Sequence, residues 1–154
     1  MLKLRKACEQ DCDLFFQWAN DKECRKNSFS IEPIAYESHC QWFQKKLQSK
    51  TSELFLLEEE KPVGMLRLDY EDQQVKISYS IAAEQRGKGY GKKLLELAET
   101  FVKENRQETY LVAEVKKENM VSRHLFLLMG YVEVEQDKCM EYKKKISPER
   151  VKWF

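Results

Sequence analysis

The stretch Gln85, Arg86, Gly87, Lys88, Gly89, Tyr90 and Gly91 constrains this chain more than any other. It follows an alternating run, Val75, Ile77, Tyr79 and Ile81, whose period of two reads as a strand. It opens a segment with Leu94, Leu95, Ala98, Phe101 and Val102 at helical spacing. A strand that becomes a helix through a glycine-rich, basic turn makes an anion cradle. Glycine permits positive φ and close backbone approach. The first-turn N–H groups of the helix lack intrahelical acceptors, and the helix dipole favours negative charge there. The pattern predicts a phosphorylated ligand; a plain surface turn is the alternative.

Three phosphate-binding patterns compete. A P-loop requires G-x-x-x-x-G-K-[ST], and Lys92-Lys93 after Gly91 offers no hydroxyl for a metal. A dinucleotide fold requires G-x-G-x-x-G early in a long βαβ series. Here the spacing is G-x-G-x-G and begins past the chain's midpoint. Glu114 stands at a suitable distance for a ribose contact, so that option stays open. The third pattern, R-x-x-G-x-G, is met by Arg86, Gly89 and Gly91.

A chain of 154 residues is expected to form one domain and bury about two-thirds of its unfolded surface. Its 27 basic and 26 acidic residues leave a net charge of +1, which argues against a broad nucleic-acid-binding face. The basic run Lys143-Lys144-Lys145 reads as a solvated strand edge. No apolar stretch is long enough to span a membrane. Lys3, Arg5 and Lys6 interrupt the opening residues, so no signal peptide and a cytoplasmic location are expected. Cys8, Cys12, Cys24, Cys40 and Cys139 form no C-x-x-C pair, which predicts free thiols and no metal site.

Residues 2–7 alternate as a strand. Asp11 or Asp13 is positioned to cap a helix through Trp18 and Ala19, which ends at Asn20-Asp21. Residues 24–33 read as a loop. A second helix is expected over 36–48, then strands over 53–57 and 63–68 around the charged turn 58–62. After the glycine turn the helix extends to Asn105, followed by a strand marked by Tyr110, Val112 and Val115. Asn119 begins a helix carrying Val121, Leu125, Leu128 and Met129, stopped by Gly130. Val132 and Val134 with Met140 and Tyr142 form a closing hairpin about residues 136–138. This order predicts a mixed α/β sheet with helices on both sides.

The R-x-x-G-x-G turn resembles the acetyl-coenzyme A pyrophosphate turn of the GCN5-related N-acetyltransferases. A second segment, Glu114-Val115, Asn119 and Met129-Gly130-Tyr131, resembles that family's E-V-x-x-x-N…G-[FY] signature. The resemblance covers residues 2–142. It implies a single-domain fold over residues 1–146, followed by a tail of residues 147–154. The sheet it implies is mixed and mostly antiparallel, with about seven strands flanked by about four helices. It also implies acetyl-coenzyme A as cosubstrate and acetyl transfer to a primary amine.

Carried across residue by residue, the resemblance places backbone contacts to coenzyme A at Tyr79, Ser80 and Ile81. The phosphate cradle falls on Arg86, Gly87, Lys88, Gly89, Tyr90 and Gly91, with Lys92 and Lys93 as further phosphate partners. Asn119 takes the position that contacts the pantetheine arm, while a helix N-cap is its local alternative. Glu114 takes the position of the general base, and a surface charge is its alternative. The family's usual general acid is a tyrosine seven residues after the asparagine, and here Phe126 stands there. A phenyl ring cannot protonate a thiolate. Water, another hydroxyl (Tyr79, Ser122 or Tyr131), unassisted departure and a weakly active protein are the options.

Acceptor choice falls to the first two helices. Trp18, Asn20, Asp21, Arg25, Ser28-Phe29, His39 and Trp42-Phe43 resemble the acetyltransferases that act on nucleotide-linked 4-amino sugars in pseudaminic acid-type glycan biosynthesis. Trp18, Asn20, Arg25, His39 and Trp42 are accordingly the candidate substrate-binding residues. Aromatic rings stack on a base or sugar, and Arg25 suits a diphosphate. Helical spacing makes Trp18, Trp42 and Phe43 candidates for core as well, and His39 a candidate structural histidine. The expected partner is a small-molecule amine, with a nucleotide sugar as the leading form. The alternatives are a ribosomal-protein-type N-terminal acetyltransferase and a coenzyme-binding module without turnover. The oligomeric state stays open, a homodimer included.

Overall fold

The computed structural model describes residues 1–148; the aromatic pair Trp153-Phe154 lies outside them. Seven strands form one sheet: β1 (Lys3–Lys6), β2 (Ser52–Glu58), β3 (Pro62–Tyr70), β4 (Gln74–Ile81), β5 (Thr109–Val115), β6 (Val132–Glu135) and β7 (Met140–Ile146). Their order is β1-β2-β3-β4-β5-β7-β6. Every pair is antiparallel except β4–β5. The mixed, mostly antiparallel sheet expected from the sequence is therefore present.

The period of two sorts the strand side chains onto two cores. Phe55 and Leu57 of β2, Leu66 and Leu68 of β3 and Val75 and Ile77 of β4 face one side. There they meet Leu94, Leu95, Ala98 and Val102 of helix α4 (Tyr90–Asn105). Leu54 and Leu56 of β2 face the other side, against Phe15 of helix α1 (Cys12–Ala19) and Phe43 of helix α3 (Tyr36–Gln48). Helix α3 presents His39, Trp42, Phe43 and Leu47 on one stripe, the spacing that buries it against the sheet.

Three sequence expectations need correction. The segment 24–33, expected as a loop, overlaps a five-residue helix, α2 (Lys22–Lys26), capped by the Asp21 side chain on Cys24 N at 3.1 Å. At α1, Asp11 occupies the N-cap position but sends its carboxylate to the Cys8 N–H and Arg5 instead of capping the helix. Helix α5 (Met120–Leu128) buries only part of its apolar set: Leu125 and the following Met129 pack half-buried on the core. Val121 and Leu128 are exposed, and Phe126 is its one buried residue. The stop at Gly130 is as expected: φ is +88°, and Gly130 N and Tyr131 N bond to the carbonyls of Leu127 and Phe126. That double bond is a Schellman closure, which glycine satisfies at low steric cost.

The parallel seam is short. β4 and β5 pair only at Gln74–Tyr110, Val75–Leu111 and Lys76–Val112. Residues 77–81 of β4 continue to pair with β3 but carry no partner on the β5 side. The sheet thus opens into a cleft at the carboxyl ends of β4 and β5, which is where both sequence motifs converge.

Candidate active site

One wall of the cleft is the glycine turn. Gly87 and Gly89 have φ of +77° and +83°, and a Cβ at either would meet nothing within 4 Å. Their need for glycine is therefore conformational rather than steric. Gly91 differs: a Cβ there would come within 3.1 Å of Leu125 Cδ2, so its small size lets α4 approach α5. Gly89 is the N-cap of α4 and has no side chain to occupy the first-turn N–H groups; no acidic residue stands in that turn, and Lys92 and Lys93 are exposed beside it. The turn therefore suits a pyrophosphate on local geometry and on charge. Lys88 is tied to Gln85 Oε1 at 3.1 Å, and the Tyr90 hydroxyl donates to Glu59 at 3.1 Å.

Arg86 turns away from the cradle. Its Nη2 pairs with Asp21 at 2.6 Å and its Nε donates to the Ile81 carbonyl at 3.2 Å. Partial burial works to raise the Asp21 pKa, but Arg86 and the Cys24 N–H together hold that carboxyl below the usual range. A cavity of about 170 Å³ lies at this junction, lined by Trp18, Asp21, Ile81, Ala82 and Arg86 among others. A larger cavity of about 610 Å³ sits against Phe101, Asn105 and Arg106, at the far end of α4 from the turn. A 16-residue helix puts those ends roughly 24 Å apart, so the larger space is remote from the cleft.

The opposite wall comes from α5. Asn119 caps it, its Oδ1 accepting from Ser122 N at 3.2 Å. One turn in, Ser122 Oγ lies 2.9 Å from the Tyr79 hydroxyl. Burial raises the Tyr79 pKa, only partly offset by the Ser122 bond, so the phenol keeps its proton at neutral pH. Phe126 packs its ring between Tyr79, Tyr131 and Tyr142, at centroid distances of 6.0, 4.9 and 5.3 Å. Tyr131 is sealed beside Glu99 and Lys144, and its buried hydroxyl makes no hydrogen bond; burial and then the Glu99 charge raise its pKa. Of the hydroxyls considered from sequence, Tyr79 and Ser122 form the pair that spans from β4 to α5.

On the opposite face of the sheet, Glu114 is half-exposed and pairs with Lys76 at 3.2 Å. That hydrogen bond is the main cause of a raised Lys76 pKa. The register Lys76–Val112 brings Glu114 level with Ser78 across the opening. Ser78 bonds in turn to Arg67 of β3 at 3.3 Å. The Arg67 guanidinium lies 5.7 Å from the centre of the Trp42 ring.

The structure divides the five substrate candidates. Trp18 and Trp42 are half-buried against the second core; Trp18 also lines the small cavity beside Arg86, and Trp42 lies near Arg67. Asn20 does not: both ends of its amide clamp the backbone of Ile34, at 2.9 and 2.8 Å. The Arg25 guanidinium is spent on the carbonyls of Ala19, Ser30 and Glu32 and on Ser28 Oγ, so it holds the α2–α3 connection together. Buried His39 bonds through Nε2 to Cys12 O at 2.9 Å and stacks on Phe43. The polar atoms of Asn20 and Arg25 and the Nε2 of His39 are therefore engaged within the fold. Sequence reasoning passed over Arg67 and Ser78, whose alternating polar signal is that of any half-exposed strand. Among the described residues no group of three or more His, Cys, Asp and Glu is placed to hold a metal ion, and no helix is long and apolar enough to cross a membrane.

Comparison with known proteins bears on this arrangement. A sequence profile described as an acetyltransferase (GNAT) domain matches residues 1–132. A search of curated protein sequences finds no significant match. Among solved structures, a domain from Methanocaldococcus jannaschii aligns with a TM-score of 0.81 at 18% identity, covering 94% of this chain and 98% of that one. RimL, a ribosomal L7/L12 alpha-N-protein acetyltransferase in complex with coenzyme A, aligns at 0.82 and 15% identity over 96% of each chain. The spermidine N-acetyltransferase of Vibrio cholerae, in complex with coenzyme A and spermine, aligns at 0.76 and 21% over 94% of each. At these identities the likeness is one of fold, and the profile is what carries membership. The chain belongs to the GNAT acetyltransferase family, and its acetyl donor is acetyl-coenzyme A.

Proposed function

We propose that the chain transfers acetyl from acetyl-coenzyme A to the 4-amino group of a nucleotide-linked amino-deoxy sugar. The observation that carries this reading is the face beside the cleft. Glu114 stands level with Ser78 across the opening, and Trp18 and Trp42 supply aromatic surface on the helical side. Aromatic rings with an apolar body suit a sugar face or a pyrimidine. The same face carries Lys76 and Arg67, a poor surface for a polycationic acceptor. The first-two-helix pattern from Trp18 to Phe43 supports the amino-sugar reading by resemblance, now with Asn20, Arg25 and His39 acting through the shape of the fold.

In this reading the coenzyme lies along residues 79–81, with its pyrophosphate on Gly87–Gly91 N–H groups and the Asn119 amide on its pantetheine arm. The thioester supplies an activated acyl carbon. The protein must then take a proton from the incoming ammonium and return one to the departing sulfur. Glu114 is the base, oriented by Lys76. The Tyr79–Ser122 pair is the proton source: its hydroxyls span the cleft, and burial keeps Tyr79 protonated. Phe126 supports this pair from beneath as a packing residue. The new bond is carbon to nitrogen and the broken bond carbon to sulfur. The nitrogen gives up two protons, one to Glu114 and one that replaces the proton the hydroxyl pair passes to sulfur, so one proton is released overall. A cytoplasmic location fits an enzyme whose cosubstrate is acetyl-coenzyme A.

Thiol release from acetyl-coenzyme A, measured with UDP-4-amino sugars, peptides with free N-termini and polyamines, tests the assignment. The amino sugar is expected to be turned over at least tenfold more efficiently than the others. A preference for peptides would install the ribosomal type of activity, and tight coenzyme binding without turnover would make the chain a module. Gly89→Val forces a β-branched residue into positive φ and is expected to abolish coenzyme binding by calorimetry; retained affinity would contradict the cradle. Glu114→Gln should lower kcat by about a hundredfold or more while leaving coenzyme affinity within a factor of about two. An unchanged kcat removes Glu114 from the mechanism. Tyr79→Phe and Ser122→Ala should each lower kcat about tenfold, modestly because a thiolate is a tolerable leaving group. If neither variant slows turnover, sulfur departs without help from this pair.

A further inference from the structure

Arg67 is the one charged residue of the acceptor face whose bonding is incomplete in a telling way. It sits on β3 opposite Ser78 of β4, so it stands one strand beyond the residue that is level with Glu114. Its Nη2 reaches Ser78 Oγ at 3.3 Å, and its Cζ lies 5.7 Å from the centre of the Trp42 ring. Nε is 3.0 Å from Asp69 Oδ2, yet this buried nitrogen makes no aligned hydrogen bond. Nη1 has no partner among the described residues. The charge count is also unbalanced. Asp69 is shared: Lys46 reaches its Oδ1 at 2.9 Å and Ser52 at 2.6 Å. Two cations on one carboxylate leave a surplus positive charge, and Arg67 is the member that faces the cleft side through Ser78. Glu114, the carboxylate on the same face beyond Ser78, is already paired with Lys76 at 3.2 Å.

A guanidinium centred 5.7 Å from an indole ring, held at one end by a hydroxyl and with Nη1 to spare, suits charge-assisted binding of an oxyanion. The indole lies within cation–π range of the group, and the Arg67 side chain is only about a third exposed, which favours a charge pair formed there. We infer that Arg67, backed by Trp42 and Ser78, is an anion subsite of the acceptor face, and that the acceptor amine carries a phosphate group. Glu114 and Arg67 lie two strand spacings apart. The amine and the phosphate are therefore separated by roughly 10 Å, or more where the strands splay. A polyamine lacks this group and meets repulsion at the same place. The inference rests on the reading that the acceptor binds this face, and it replaces Arg25, whose donors are consumed by backbone carbonyls.

The test compares the full-length chain with Arg67→Gln on two acceptors, a UDP-linked 4-amino sugar and the same amino sugar without its nucleotide. The variant should raise KM for the UDP-linked sugar by about tenfold to a hundredfold. It should leave kcat within about threefold and leave KM for acetyl-coenzyme A and for the free sugar unchanged. An equal rise for both sugars, or for neither, overturns the subsite while the amino-sugar activity stands. If the wild type turns over neither sugar, the function reading fails separately. The subsite is then judged by calorimetry with UDP against uridine: weaker UDP binding in the variant with uridine unchanged supports it, and equal binding by both proteins removes it. Should Arg67→Gln fail to bind acetyl-coenzyme A, Arg67→Lys, which keeps a charge but loses the fork, is read by the same criteria.

Discussion

The rest of this molecule depends on where the pairing of β4 and β5 stops. Parallel strands gain from each further rung, so ending after three pairs leaves backbone groups of residues 77–81 unpaired on one edge. Such an edge persists in a folded protein only when side chains hold the strands apart and a partner or water satisfies it. Here the wedge is aromatic. Tyr79 and Phe126 fill the space on the α4 side, and Gly91 lets the start of α4 close against Leu125 of α5. The opening creates a backbone groove on β4, aims the first turn of α4 at one end of it, and leaves Glu114 beyond bonding range of β4's main chain. Donor groove, anion cradle and acceptor face are three consequences of one interrupted seam.

The division of labour at Phe126 follows from this. A tyrosine at that place would have to keep its hydroxyl hydrogen-bonded in an almost fully buried position, stacked on Tyr142. Phenylalanine avoids that cost and makes a better floor. The hydroxyl instead comes from the strand side, at Tyr79, where Ser122 on the first turn of α5 satisfies it at 2.9 Å. In the proposed mechanism, the departure from the family pattern places the proton source on a strand instead of a helix.

Much of this was legible in the residues, and the exceptions have physical causes. β3 and β4 alternate because one face of each meets the main apolar layer. β2 is instead a continuous apolar run, Leu54 to Leu57, because both its faces are covered. Helix α3 was bounded correctly because its apolar stripe runs the full 13 residues. Helix α2 has five residues and buries none, so periodicity has nothing to report. At α5, apolar composition misled in part: Val121 and Leu128 are exposed, while Phe126, with Leu125 and Met129, anchors the helix. Charged and amide side chains were the least readable. Arg25 and Asn20 have the composition of ligands, but which acceptors their donors reach is decided by the path of the α2–α3 connection. Arg67 reads as an ordinary half-exposed strand residue until β3, β4 and α3 are brought together.

The turn itself gains a second meaning from Arg86. In sequence its charge reads as a phosphate ligand, yet in the fold it clamps Ile81 O and the carboxylate of Asp21. Asp21 meanwhile caps α2 through the Cys24 N–H, so one carboxylate fixes both the glycine turn and the helix that edges the acceptor face. Lys116, entering α5, adds a bond to the carbonyl of Lys26 at the far end of that helix. Both contacts are partly solvated, and an exposed ion pair such as Arg86–Asp21 stabilises a fold by only about 0–1 kcal/mol. Their contribution is alignment rather than stability. Acyl transfer is sensitive to displacements of about 1 Å between donor and acceptor. A five-residue helix without a buried side chain has no core contact of its own to hold such a position. The Arg86–Asp21 bridge supplies it, registering the acceptor wall against the backbone that carries the acetyl donor.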